Sequence, residues 1–202
     1  MSDPRPSLVL ASGSSIRRQL LENAGIVFVV DPADIDEPAA LRDLQRNEQS
    51  VPRLGRGLAA LKAEAVSRRR PDSLVIGADQ MLELDGAILT KAGTAEIARD
   101  VLTRLRGRQH YLHSGVAIAR GGRTLWSHVE SATMRVRQFS DSWLDSYVAR
   151  LSTILTTTVG AYQLEGEGIQ LFERIEGDYF TILGLPLLAL LAELRKQHGI
   201  ED

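Results

Sequence analysis

A chain of 202 residues can bury a substantial core without disulfide or metal staples, and one domain over residues 1–202 is expected. The formal net charge of -2 leaves no basic stripe for nucleic acid, and the absence of cysteine excludes disulfide frameworks and cysteine-based zinc sites. Met1 to Ser7 lack the charged-then-apolar pattern of a signal peptide, and no apolar run approaches the roughly 20 residues that span a bilayer. A cytoplasmic protein with neither a nucleic-acid nor a membrane partner is expected.

The apolar run Leu8 to Ala11 reads as a strand, Ser12 to Ser15 as a loop, and Ile16, Leu20 and Leu21 as the core stripe of a helix closing at Gly25. Ile26 to Val30 is β-branched and aromatic and predicts a second strand, followed by the acidic, turn-rich Asp31 to Pro38. Leu54, Leu58, Leu61 and Ala65 recur at helical spacing within a segment from Pro52 to Arg70 that Pro71 ends. Ser73 to Ala78 is apolar almost throughout, as in a strand covered on both faces, which puts Asp79 at a strand end. Thr94 can cap a helix with Ala98, Val101, Leu102 and Leu105 on its buried stripe and Gly107 past its end. A strand near Val116 to Ala119 follows, then a half-exposed strand carrying Met134 and Val136, and a helix from Ser140 through Val148. The glycine-punctuated stretch Gly160 to Gly184 leads to Pro186 and a leucine-rich helix ending near Gly199. Strands interleaved with helices give an α/β class.

Arg17 and Arg18 fall in the first turn of a helix, where the partial positive charge of the helix end disfavours cations. Either an anion compensates, with the preceding Gly/Ser loop forming a phosphate cradle, or both side chains are solvated. Asp36, Glu37 and Asp79 follow apparent strands, where α/β folds place ligands; two such carboxylates can hold Mg²⁺ or Mn²⁺, and one can take a proton from water. Caps and solvated turns are the alternative. Lys62 and Lys91 are candidate phosphate contacts or plain surface residues. His110, His113, His128 and His198 have no metal-ligand spacing and are taken as structural. Neither a P-loop nor a G-x-S-x-G motif occurs.

In this order and spacing, Leu10-Ala11-Ser12-Gly13-Ser14-Ser15-Ile16-Arg17-Arg18, Asp36-Glu37, Lys62-Ala63, Gly77-Ala78-Asp79-Gln80, Lys91, and Glu173 to Phe180 with Gly184-Leu185-Pro186 resemble the Maf family of nucleotide pyrophosphatases. The likeness runs from about Leu8 to the last helix. It implies a mixed central sheet flanked by helices, as in Maf and ITPase-like proteins, with a substrate cleft at strand ends where metal-assisted water attacks between the α and β phosphates of a nucleoside triphosphate. Asp79 matches the family's proton acceptor and, with Glu37, its metal ligands, the metal being Mg²⁺ or Mn²⁺. Ser12, Arg17, Lys62 and Lys91 match the residues around the triphosphate. The resemblance also makes a homodimer an expectation.

Three positions that divide the family by base are matched here by Ile16, Gln80 and Glu165. Gln80 and Glu165 match the members that resemble 7-methyl-GTP pyrophosphatases, whereas pyrimidine-type members have Thr and Gln there. A carboxylate suits the two-donor edge of guanine, and its charge favours the cationic methylated base. Ile16 stands where tryptophan is expected and cannot offer the π-face attraction of about 0.5–2 kcal/mol. Ser15 stands where proline is common, and Thr156-Thr157-Thr158 replaces a stretch that often carries a lysine in pyrimidine-type members. The leading expectation is hydrolysis of 7-methyl-GTP or a similar modified nucleotide; a pyrimidine nucleotide substrate and a nucleotide-binding regulator of division with little turnover are the rivals.

Overall fold

The computed structural model describes residues 6–156 and 158–198. Thr157, Gly199 and the first five residues of the N-terminal segment lie outside the described residues, as does the side chain of His198. Among the described residues, seven strands form one mixed sheet. Contacts divide the chain into two compact units: residues up to Gln80, Ser114–Glu130 and those from Tyr179 onward form the first, and Met81–His113 with Ser131–Asp178 form the second.

In the first unit, β1 (Leu8–Leu10) lies between β2 (Val29–Val30) and β3 (Leu74–Leu84) and runs parallel to both. Successive side chains of a strand point to opposite faces, so each strand deals its apolar residues into two layers. Leu8, Leu10, Leu74, Ile76 and Ala78 share a core with Leu20 and Leu21 of α1 (Ser15–Asn23) and with Leu187, Leu190 and Leu194 of α7 (Leu187–His198). Val9, Ala11 and Val75 join Ala59, Ala63 and Val66 of α3 (Val51–Arg69) on the other face. The α3 face is built of small residues because that helix sits very close to the sheet. A Cβ at Gly77 would fall 2.2 Å from the Ala59 carbonyl oxygen and 2.7 Å from the Ala63 nitrogen. At Gly115, in β5 (Gln109–Arg120), it would fall 2.6 Å from the Gly55 carbonyl oxygen.

Two glycine-assisted turns make hairpins that the sequence reading passed over. Asp85 and Gly86, both with positive φ (51° and 79°), join β3 to the antiparallel β4 (Ala87–Leu89). Gly121 and Gly122 (57° and 80°) join β5 to β6 (Arg123–Val136). Two-residue turns with both φ positive match the twist of paired strands, and Asp-Gly and Gly-Gly favour them. In the second unit, α4 (Ala95–Leu105), with Thr94 as its N-cap, packs on α5 (Asp141–Leu155), and β7 (Phe172–Glu176) pairs antiparallel with β6.

Several expectations are corrected. Asp79 is not at the end of a strand: β3 continues five residues beyond it to Leu84. What ends near Asp79 is the neighbour, since β1 pairs with β3 only as far as Leu10 opposite Ile76. The second strand spans only Val29–Val30, not Ile26 to Val30, because the short β1 offers it just two partners. The acidic stretch read as a turn contains the start of a helix, α2 (Glu37–Gln45), with Asp36 as its N-cap and Pro38 in its first turn. The strand expected near Val116 to Ala119 runs through Gln109–Arg120, and the one carrying Met134 begins at Arg123. The stretch from Gly160 to Gly184 holds the end of one 3₁₀ turn (Val159–Ala161), a second (Glu167–Leu171), β7 and the four-residue α6 (Tyr179–Ile182). The mixed sheet flanked by helices is as expected.

The second unit has a buried histidine in an aromatic setting. His110 Nε2 lies 2.7 Å from the Tyr162 hydroxyl, with the rings of Tyr162 and Phe172 beside it, while its buried Nδ1 has no hydrogen-bond partner among the described residues. Burial lowers its pKa from 6.5 to about 4. Below pH 6.5 the unfolded chain therefore takes up a proton that the folded chain refuses.

Two outcomes are expected from this architecture. Gly77→Ala should cost about 1–3 kcal/mol in urea denaturation, because its methyl group meets helix backbone that cannot rotate away. Stability should fall between pH 6.5 and about 4, by up to about 3 kcal/mol, and a His110→Gln variant should lose less over that window in parallel denaturation curves.

Candidate active site

The close seating of α3 on β3 brings Lys62 to the sheet. Asp79 belongs to the same strand phase as Val75 and Gly77, the phase that faces α3. The Lys62 ammonium donates to Asp79 Oδ1 at 2.7 Å and lies 2.9 Å from Glu37 Oε1. Lys62 and Asp79 are 7% and 8% exposed, so the pair is largely dry, whereas Glu37, the first residue of α2, is exposed. Asp36, its neighbour, accepts from the Ala39 N-H at 2.9 Å and so serves as a cap.

The two arginines of α1 part company. Arg18 pairs with Glu22 at 2.7 Å on the exposed face of the helix. Arg17 turns inward, donating through Nε to the Gly184 carbonyl at 2.8 Å and through Nη1 to Ser12 Oγ and the Ala78 carbonyl, both at 3.1 Å. Ser12 is buried and also accepts from the Ser14 N-H, while Ser14 caps the helix through the Arg17 N-H. The loop thus orients its arginine before any ligand is present.

Electrostatics follow from this burial. Removal from water raises the Asp79 pKa, with Lys62 and Arg17 opposing that shift by favouring the ionised form. Desolvation lowers the Arg17 pKa, offset by Asp79 and then Glu37; an arginine so placed stays charged at neutral pH. Two carboxylates and two cations balance one another within the first unit.

Not all of the expected residues join this group. The structure brings together Ser12, Arg17, Glu37, Lys62 and Asp79. Ile16, in the first turn of α1, is partly buried against the core between α1, α7 and the sheet. Gln80 points to the other side of β3 from Asp79 and donates to backbone at Ile182 and Thr181. Lys91 is exposed in the irregular segment between β4 and α4, and Glu165 is exposed in the turn between the two 3₁₀ turns; both belong to the second unit. The sequence reading missed Ser114, Thr181 and the Gly184 carbonyl, which hold Gln80 and Arg17 in place. The place of Ser114 at the start of the small and apolar run Gly115 to Ala119 of β5 was the available signal for it.

Glu37 Oε1 and Asp79 Oδ1 both pair with Lys62 Nζ, which occupies the point between them, and each carboxylate keeps a second oxygen. Two hard carboxylate ligands fit an ion such as Mg²⁺, which takes few protein ligands and completes its shell from water and phosphate. Among the described residues, no cluster of three or more His, Cys, Asp or Glu side chains could hold a metal.

The model of the family described as Maf-like protein matches residues 7–197 of this chain. The chain belongs to the Maf family. This Maf protein is 50% identical over 192 residues to the nucleoside triphosphate pyrophosphatase of Caulobacter vibrioides, covering 95% of the chain and 96% of that relative. It is 46% identical over 197 residues to the 7-methyl-GTP pyrophosphatase of Rhizobium meliloti, covering 98% and 99% of the two chains. Identity to the 7-methyl-GTP pyrophosphatase of Brucella abortus is 47% over 194 residues, or 96% and 98% of the two chains. No helix among the described residues is long and apolar enough to cross a membrane.

Lys62 is the residue on which the Maf site balances. Lys62→Met should leave two carboxylates facing one another and cost about 3 kcal/mol in denaturation, the range for breaking a buried ion pair. Pairing it with Asp79→Asn should return a large part of that loss; simple additivity of the two single losses would show that the pair is not coupled.

Proposed function

We propose that this Maf protein is a nucleoside triphosphate pyrophosphatase, releasing a monophosphate and pyrophosphate by water attack between the α and β phosphates. The observation that carries this reading is the Lys62 ammonium set between Glu37 and Asp79, with the Arg17 guanidinium turned toward the same group. Phosphoryl transfer asks a protein mainly for position and charge stabilisation, and this set supplies both signs of charge on a rigid helix and strand. The activities named for the Caulobacter and Rhizobium relatives support the same reaction class.

In this reading Ser12 and Arg17 hold phosphate oxygens, and Lys62 neutralises charge and orients Asp79. Asp79 takes the proton from the attacking water. Glu37 and Asp79 are the residues that would hold Mg²⁺ or Mn²⁺, which would supply further charge stabilisation and a more acidic water. The preferred substrate we propose is 7-methyl-GTP, supported by Glu165 in the sequence pattern and by the names of the Rhizobium and Brucella relatives. Ile16 offers no aromatic face, so the charge of Glu165 carries the discrimination.

The test is pyrophosphate release from 7-methyl-GTP, GTP, dTTP, UTP and CTP in the presence of Mg²⁺ or Mn²⁺. Preference for 7-methyl-GTP is expected, reduced in a Glu165→Gln variant; preference for dTTP or UTP would overturn the substrate and keep the reaction. Asp79→Asn should abolish turnover with circular dichroism unchanged. Failure of the unaltered protein to cleave any nucleotide would remove the enzyme reading and favour a nucleotide-binding regulator.

A further inference from the structure

Gln80 follows Asp79 in β3 and so points to the opposite face of the sheet. Its Nε2 lies 2.9 Å from the Ile182 carbonyl, 3.1 Å from Ser114 Oγ and 3.3 Å from the Thr181 carbonyl. Backbone carbonyls cannot donate, so the amide must present its nitrogen to them. Two N-H groups facing three acceptors leave no hydrogen on that nitrogen for a nucleobase. The segment it grips is held by others too: Ser114 donates to the Thr181 carbonyl at 2.7 Å, and Thr181 donates its hydroxyl to Glu130 Oε2 at 2.7 Å.

What this anchored segment carries is the acceptor for Arg17. The chain leaves α6 through a turn in which the Gly184 N-H donates to the Thr181 carbonyl at 3.0 Å, and Gly184 adopts φ +95°. Its carbonyl then accepts from Arg17 Nε at 2.8 Å. A Cβ at Gly184 would lie 3.5 Å from Arg17 Nε and 3.6 Å from Gln80 Cδ, so this glycine sits between the two side chains.

We infer that Gln80 is a positioning residue for Arg17, acting through the Tyr179–Gly184 turn on the phosphate end of the substrate and not by reading the base with its amide nitrogen. The inference rests on the proposed pyrophosphatase reading for its effect on catalysis, but its structural core is the link from Gln80 to Arg17. Removing the amide takes the donor from the Ile182 carbonyl and one of three from the Thr181 carbonyl, which keeps Ser114 and the Gly184 N-H; the turn loosens at Ile182 and the Gly184 carbonyl no longer holds the guanidinium in register. The consequence is a loss shared by every nucleotide, whatever its base.

The test compares the unaltered protein with Gln80→Met, close in shape but without donors, and Gln80→Glu, which sets an oxygen against two carbonyls. The direct readout is the Arg17 Nε-H resonance, assigned by its disappearance in Arg17→Lys. Its solvent exchange should speed up about tenfold or more in both Gln80 variants, while melting midpoints show them folded. Affinity for inorganic tripolyphosphate with Mg²⁺, which has no base, should weaken about tenfold, and kcat/KM should fall by one common factor across 7-methyl-GTP, GTP and dTTP. In an Arg17→Lys background, Gln80→Met should add little. Unchanged Arg17 exchange, or a loss confined to one nucleobase, overturns the inference. If the unaltered protein cleaves no nucleotide, the pyrophosphatase reading falls, and the exchange measurement still decides the link from Gln80 to Arg17.

Discussion

The seating of α3 against the sheet is the constraint on which the rest of the first unit depends. Gly77 and Gly115 lie where any side chain would penetrate helix backbone, and Gly55 sits on the helix side of the second contact. The helix is thereby fixed at a distance that only small residues permit, and Val9, Ala11, Ala59, Ala63, Ala117 and Ala119 supply them. Larger leucines fill the opposite layer, between the sheet and α1 and α7. This division of volumes lets a lysine rooted on α3 reach a strand carboxylate at 2.7 Å in a largely dry setting. A side chain with four methylene groups would otherwise extend into water.

Burying charge is costly, and the site meets that cost by composition. Asp79 faces an ammonium directly and a guanidinium nearby, and the ammonium is shared with Glu37. Each member of the group is also oriented by a hydrogen bond: Arg17 by two backbone carbonyls and Ser12, and Lys62 by its two carboxylates. Such orientation ahead of ligand binding is what electrostatic catalysis requires, because little reorganisation remains at the moment of reaction.

Much of this was legible from residue pattern. The apolar run through Ala78 and the Thr94 cap follow from strand composition and capping chemistry, and the structure places both where expected. The expected stripe of α3 is half right, since Leu54 and Leu58 are buried but Leu61 and Ala65 are only half-buried, and the buried face turns instead through Ala59, Lys62, Ala63 and Val66. The continuation of β3 is not legible because the apolar run breaks at Asp79 and Gln80, although Met81, Leu82 and Leu84 are buried beyond them. β7 was lost because Glu173, Arg174 and Glu176 leave no apolar alternation; that strand is held by its partner, β6. At the site, resemblance gathered Ser12, Arg17, Glu37, Lys62 and Asp79, but nothing local distinguishes Arg17 from Arg18. Only the fold, by setting the Ala78 and Gly184 carbonyls opposite Arg17, turns it inward. The commitment of Gln80 to backbone carbonyls 101 and 102 residues away was equally out of reach.

The two-residue period of β3 has a consequence for how such a chain can diversify. Asp79 and Gln80 are consecutive, so one faces Lys62 and the other faces the turn beyond α6. Inserting a single residue between Gly77 and Asp79 would exchange the faces of Asp79 and Gln80, burying the amide against α3 and thrusting the carboxylate at the Thr181 and Ile182 carbonyls. No compensating substitution at either position alone repairs both errors. A change of length ahead of Asp79 therefore costs both contacts at once, whereas an added residue at the exposed Asp85-Gly86 hairpin tip turns neither side chain from its face.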